Sequence, residues 1–181
     1  MAAATGIVAI YPYHFEAEIE RYGVVKVRKV WYQVLMLPQS LRAELPFDEF
    51  PRLRVEGEIA DVPMTNAFIP TGNGRNYVIV GPGVRKAACV GLGDHVEMRF
   101  RIADQDSVDV PAALYEALQS NPAFQSIWDE LTPGKQRAVA QHVKSAKTEA
   151  TRKRRLEEAV EVVMSFEGRF REWRDIRKRE T

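Results

Sequence analysis

Cysteine is nearly absent from this chain. Cys89 stands alone, so no disulfide can form within it, and such usage fits a reducing compartment. No apolar run is long enough to span a bilayer. The opening stretch, MAAATGIVAIYPYHFEAEIE, lacks the basic start and long apolar core of a secretory signal. A soluble cytoplasmic protein without membrane insertion is therefore expected. The three histidines, His14, His95 and His142, lie far apart, and none has a histidine or cysteine at ligand spacing, so no metal site is expected. No serine sits in a nucleophile-elbow context. The acidic groups Glu16, Glu18 and Glu20, and Glu56 with Glu58, fall on the solvent side of strand alternations, whereas paired carboxylates that move protons sit in clefts. Cys89, within Ala87-Ala88-Cys89-Val90, reads as a small buried hydrophobe. Its nearest histidine in sequence is His95, and no third group to orient such a pair is evident. The expectation is no catalytic activity and no cofactor, with Cys89 and His95 as the place where an enzyme reading would have to start.

Net charge is also scarce, at +1 over 181 residues, but it is unevenly laid out. Up to Glu130 there are 12 basic and 17 acidic residues; from Leu131 onward, 14 basic and 8 acidic. An anionic partner would meet the rear of the chain, not the front.

What is present falls into two parts. Over residues 13–103 the patterns are those of short strands. Phe15, Ala17 and Ile19 alternate with three glutamates, and Arg21-Tyr22-Gly23 then breaks the alternation. Val30 to Leu37 is rich in β-branched and aromatic residues and stops at Pro38. Between Gln39 and Pro51 the prolines allow only a helical turn and a loop. Leu53 to Ile59 alternates again, Asp61-Val62-Pro63 reads as a turn, and Thr65 to Ile69 as a short strand. Pro70-Thr71-Gly72-Asn73-Gly74 is rich in glycine, but the strand-like Tyr77 to Val80 follows it. A phosphate cradle needs a helix there, so a hairpin is the expectation. Val84 to Ala88 suits one helical turn, and His95 to Ile102 a final strand. Some six short strands with glycine-rich turns predict a small β-barrel.

After the acidic linker Ala103 to Val110, the remainder over 109–181 predicts four or five helices. Pro111 opens one bearing Leu114, Tyr115 and Leu118, and Asn121-Pro122 caps another bearing Phe124, Ile127 and Trp128. Thr132-Pro133 starts a third, with the threonine as cap, whose apolar face is Ala138, Val139, His142, Val143 and Ala146. A break at Lys147-Thr148 precedes a fourth, with Leu156, Ala159, Val160, Val163 and Met164 on its inner face. His142, on an apolar side, is expected to be a satisfied core or rim residue. The last segment, Phe166 to Lys178, interleaves Phe170 and Trp173 with arginines.

The fourth helix carries the most unusual run, Arg152-Lys153-Arg154-Arg155. Helical spacing puts Arg152 and Arg155 beside the apolar stripe and Lys153 and Arg154 toward solvent. The two arginines therefore either pair within the helical bundle and cap its carbonyls, or hold an anionic partner. Nucleic acid is one such partner, with Phe170 and Trp173 as stacking platforms; against it stands the acidic front half.

These segments resemble a known family. Pro111 with Leu118, Phe124 with Trp128, Leu131-Thr132-Pro133-Gly134-Lys135, and Ser145-Ala146-Lys147 running into Thr148-Glu149-Ala150-Thr151-Arg152-Lys153-Arg154-Arg155-Leu156 are similar to the YdeI/OmpD-associated, or bacteriocin-protection, family. The front resembles a domain of unknown function often fused ahead of it. It does so through Phe15-Glu16-Ala17, Leu37-Pro38, Val55-Glu56-Gly57-Glu58-Ile59, Gly72-Asn73-Gly74, Val84-Arg85-Lys86-Ala87 and Gly93-Asp94-His95-Val96. The resemblance implies an α+β protein: a double-split β-barrel of the AbrB-like class, then a helical bundle. It further implies a bacterial role in protection against toxic proteins or association with an outer-membrane porin, and no established reaction. The expectation is a non-catalytic binding protein with an unidentified protein partner, held around Lys147, Thr151, Arg152 and Arg155.

Overall fold

The computed structural model describes residues 10–25 and 29–180. Of the opening twenty residues read above for a signal, 1–9 lie outside the described ones. Eight strands and seven helices occur among the described residues, and the chain divides into unit 1, Met1–Gln105, and unit 2, Asp106–Thr181.

Unit 1 holds all eight strands in two antiparallel four-stranded sheets. One is β1 (Tyr13–Glu18), β8 (His95–Ile102), β4 (Arg54–Ile59) and β5 (Val62–Ala67), in that spatial order. The other is β2 (Glu20–Val25), β3 (Lys29–Met36), β7 (Asn76–Ile79) and β6 (Ile69–Pro70). Two short helices, α1 (Gln39–Arg42) and α2 (Pro82–Ala88), interrupt them. The expected barrel thus takes the form of two sheets around a shared core, with two more strands than the alternations indicate.

The extra strand β2 begins where a break was read at Arg21-Tyr22-Gly23. The chain does not turn there; it changes sheets. Glu18 pairs with His95 in one sheet, and Glu20 with Val34 in the other. Between them Ile19, fully buried, donates its N–H to the Asp94 carbonyl at 2.8 Å and accepts from Gly93 N–H at 3.0 Å. A bend of this kind shifts the side-chain phase, which reads in sequence as a lost alternation. The turn placed at Asp61-Val62-Pro63 also lies one residue earlier. Ala60 and Asp61, with φ of 49° and 60°, form a two-residue hairpin, and β5 already starts at Val62. Positive φ at both central residues is the twist that matches flanking strands.

The core between the sheets centres on Phe15, Phe68 and Phe100, with ring centroids 5.3–6.5 Å apart in tilted and edge-on contacts. Each fully buried aromatic or aliphatic side chain contributes about 1.5–3 kcal/mol. Where β4 crosses β8 the backbones come so close that only a glycine fits: a Cβ on Gly57 would lie 2.0 Å from the Arg99 carbonyl oxygen. At the start of β4 the Gln105 amide mimics a strand neighbour, accepting from Arg54 N–H and donating to Arg54 C=O, both at 2.9 Å.

Unit 2 contains α3 (Ala112–Ser120), α4 (Pro122–Glu130), α5 (Pro133–Lys144), α6 (Glu149–Phe166) and α7 (Phe170–Glu180). Leu114, Leu118, Phe124, Trp128, Val139, Val143, Ala159 and Val163 form its core, matching the helical periodicity of the sequence. Asn121 caps α4, its side chain accepting from Phe124 N–H at 3.1 Å. Thr148 caps α6 in the same way through Thr151 N–H at 3.2 Å. Thr132 does not act as expected: its side chain makes no capping bond. Met164, placed on the inner face of α6 by periodicity, is 41% exposed. The helix ends three residues later at Glu167 and Gly168, both at positive φ, before the chain turns into α7.

Candidate functional site

The helix break at Ser145–Thr148 folds α6 back along α5, and the left-handed residues after α6 bring α7 alongside. Ridges from the three helices enclose a cleft of about 660 Å³, within the usual range for ligand clefts of about 300–1,000 Å³. From α5 come Gln141 and His142, from the turn Ser145, from α6 Arg155, and from α7 Phe170, Arg171, Arg174, Asp175 and Lys178. Four cationic side chains thus meet one carboxylate.

Behind the His142 wall of the cleft lies a fixed arrangement. His142 Nε2 lies 2.7 Å from Glu158 Oε2, and both side chains are largely buried. Glu158 is gripped from its other oxygen by Arg154 at 2.8 Å. The His142 ring rests against Phe170, centroids 4.6 Å apart, and the Arg174 guanidinium lies 6.0 Å from the Phe170 centroid. Burial holds the His142 pKa below its ordinary value. The hydrogen bond and charge of Glu158 pull the other way, while Arg155 and Arg174 add to the lowering. The ring is therefore neutral at neutral pH, and the short contact requires its Nε2–H to donate to the carboxylate. This answers the expectation for His142: it is a satisfied rim residue, with a carboxylate one helix away as its partner.

Arg155 is positioned by the end of α5. Its Nη1 donates to the His142 carbonyl at 3.0 Å and to Ser145 Oγ. The guanidinium therefore caps the His142 carbonyl near the C-terminus of α5, where positive charge is favoured. It still lines the cleft with its remaining donors.

The other expected site residues lie outside this cleft. Lys147 is exposed in the turn. Thr151 accepts from the Thr148 hydroxyl at 2.8 Å as part of the α6 cap. Arg152 pairs with Glu149 one turn back on its own helix, not across the bundle. Of the four, Arg155 is the one the fold brings into the cleft. What the sequence reading did not join to it are Arg171, Arg174 and Lys178. Their spacing on one face of α7 is visible in the sequence, but their convergence on Arg155 depends on how α7 turns back.

Trp173, read as a stacking platform, is only 8% exposed, and Arg177 covers it at 5.3 Å. Cys89 is not buried. It is exposed at the left-handed end of α2 with φ of 55°, and its thiol lies 3.8 Å from the Lys86 carbonyl of its own helix. A small side chain that looks apolar in sequence here ends a helix with too few residues to bury it. His95 faces Glu18 on the open side of the sheet, at 3.8 Å. Among the described residues no group of three or more His, Cys, Asp or Glu is placed to hold a metal ion. Among them, too, no helix is long and apolar enough to cross a membrane.

Comparison with known proteins places both units. Residues 107–164 match the model of the family described as bacteriocin-protection, YdeI or OmpD-associated. Residues 15–100 match a domain of unknown function, DUF1905. No curated protein and no solved structure matches the chain. The helical unit is thus similar to the YdeI/OmpD-associated, bacteriocin-protection family over residues 107–164, and the strand unit ahead of it to DUF1905 over residues 15–100.

Proposed function

We propose that this protein is a non-catalytic binding protein of bacterial toxin protection, whose helical unit captures an acidic segment of a partner protein. The observation that carries this reading is the cleft in which Arg155, Arg171, Arg174 and Lys178 surround one carboxylate, Asp175. Arg155 is pre-organised by its bonds to α5, so it loses little freedom on forming a charge-assisted bond. Lys147 and Arg152, exposed or half-exposed on the adjoining end of the α5–α6 hairpin, extend the contact surface and steer approach. The exposed thiol of Cys89 suits a reducing cytoplasm.

A defined acidic probe tests it. A fluorescent glutamate-rich peptide, titrated into the full chain, should bind saturably. Arg155→Ala combined with Arg174→Ala should weaken it about tenfold or more. Unchanged binding in that folded variant, or none by the parent, rejects the reading. The double substitution Arg152→Ala with Arg155→Ala, used in affinity capture, asks the same of the natural partner.

Nucleic acid is the second reading, favoured by the basic residues along α7. It requires DNA or RNA retention that falls steeply with salt. The buried face of Trp173 counts against base stacking there.

A further inference from the structure

A second cleft lies in unit 1, on the face of the β2–β3–β7–β6 sheet turned away from its core. In β2 and β3, Tyr22 and Tyr32 are directly opposite each other and so share a face. Leu35 and Val78 belong to the core cluster. By alternation Val34 and Tyr77 therefore point to the other side. There the Tyr22 and Tyr77 rings meet with centroids 4.7 Å apart, inclined at 45°. Around them remains a cleft of about 320 Å³, walled also by Arg52 and by the start of the glycine-rich loop, Pro70 to Gly72.

That loop does form the expected hairpin, between β6 and β7, and it is held firmly. Thr71 N–H donates to the Arg75 carbonyl at 2.8 Å, and Arg75 N–H to Thr71 Oγ1 at 3.0 Å. One wall of the cleft is thus built before any ligand arrives. Burial and the neighbouring Tyr22 and Tyr32 phenols raise the pKa of Tyr77, while Arg52 lowers it. The phenol oxygens and the guanidinium therefore act on the same space.

Aromatic walls by themselves would equally suit a quaternary ammonium ligand. The charge decides between them. Arg52 lines the cleft and, among the described residues, no carboxylate does, so a cation is repelled and an anion attracted. We propose that this cleft binds a small planar aromatic anion, its ring against Tyr22 and Tyr32 and its carboxylate or phosphate on Arg52. The site is separate from the helical cleft and stands whether or not that one captures a protein.

The test uses the full chain with 4-hydroxybenzoate and adenosine monophosphate as probes, and choline and inorganic phosphate as controls, followed by calorimetry and by amide shifts in NMR spectra. One-to-one saturable binding of an aromatic probe is expected, with shifts at Tyr22, Tyr32, Thr71 and Tyr77. Choline should not bind, and phosphate alone should bind far more weakly. Arg52→Gln, at an exposed position, should weaken the aromatic anion about tenfold or more; Tyr22→Ala should do the same through loss of the ring wall. The proposal is overturned if no aromatic probe saturates, if choline binds as tightly as the anions, or if Arg52→Gln binds as well as the parent.

Discussion

His142 on α5 and Glu158 on α6 meet at 2.7 Å behind the cleft wall, the one histidine–carboxylate contact in unit 2 among the described residues. The pair ties the two antiparallel helices together, beside the cationic side chains that line the cleft. Because burial outweighs Glu158 in setting the His142 pKa, the folded ring takes up its proton at lower pH than the unfolded chain does. The stability it contributes is complete above the ordinary value near 6.5 and is lost as pH falls through the lower folded value. Melting temperature should therefore drop between about pH 7.5 and about pH 5.5, and His142→Gln should drop less. Equal slopes for the two proteins would show that His142 is not the group that titrates.

Arg155 and Arg152 sit three residues apart but should behave differently. Arg155→Ala removes a charge-assisted bond to the His142 carbonyl and should destabilise by about 1 kcal/mol, discounted for partial exposure. Arg152→Ala breaks an exposed pair within one helix and should cost about 0.5 kcal/mol or less. Urea titration of the two single variants separates them, and equal losses would contradict the cap assigned to Arg155.

Gly57→Ala should be among the most damaging substitutions in unit 1. The new methyl would collide with backbone at Arg99 and Phe100 rather than with a side chain able to swing away. Overpacking of this sort costs about 1–3 kcal/mol and occasionally more. A variant with an unchanged denaturation midpoint would mean that β4 and β8 separate more easily than their register indicates.

Cys89→Gly should stabilise the protein by about 0.5–1 kcal/mol. The cysteine occupies a left-handed helix end that glycine adopts without strain. Its weak thiol contact with Lys86 is little to lose. Thermal melts under reducing conditions measure the gain. A lower melting temperature would point to a role for the thiol that its exposed position does not reveal.

Much of this architecture is written locally. Alternation in β1, β4 and β8, the Asn121 and Thr148 caps, and the heptad-like spacing of Val139, Val143, Ala159 and Val163 depend on residues near one another in sequence. Backbone preference and the burial of one face settle them within a few turns. Local reading failed at three places, for different reasons. Ile19 is held by Asp94 and Gly93 as the strand changes sheets. Cys89 is exposed because its short helix ends there in a left-handed turn, with no buried residue along its length. Thr132 looks like a cap and makes no capping bond.

The two clefts follow the same division. Sequence alone determined a basic rear, an acidic front, a helical hairpin carrying Arg155 and a glycine-rich loop that had to be a turn. Tertiary structure decided which cations share a space. Arg155 and Arg174 are far apart along the chain, as are Tyr22 and Tyr77, and each pair meets because packing of apolar faces fixed the paths of the helices and strands between them. Burial is a collective property of residues distant in sequence, so no local pattern could have specified it.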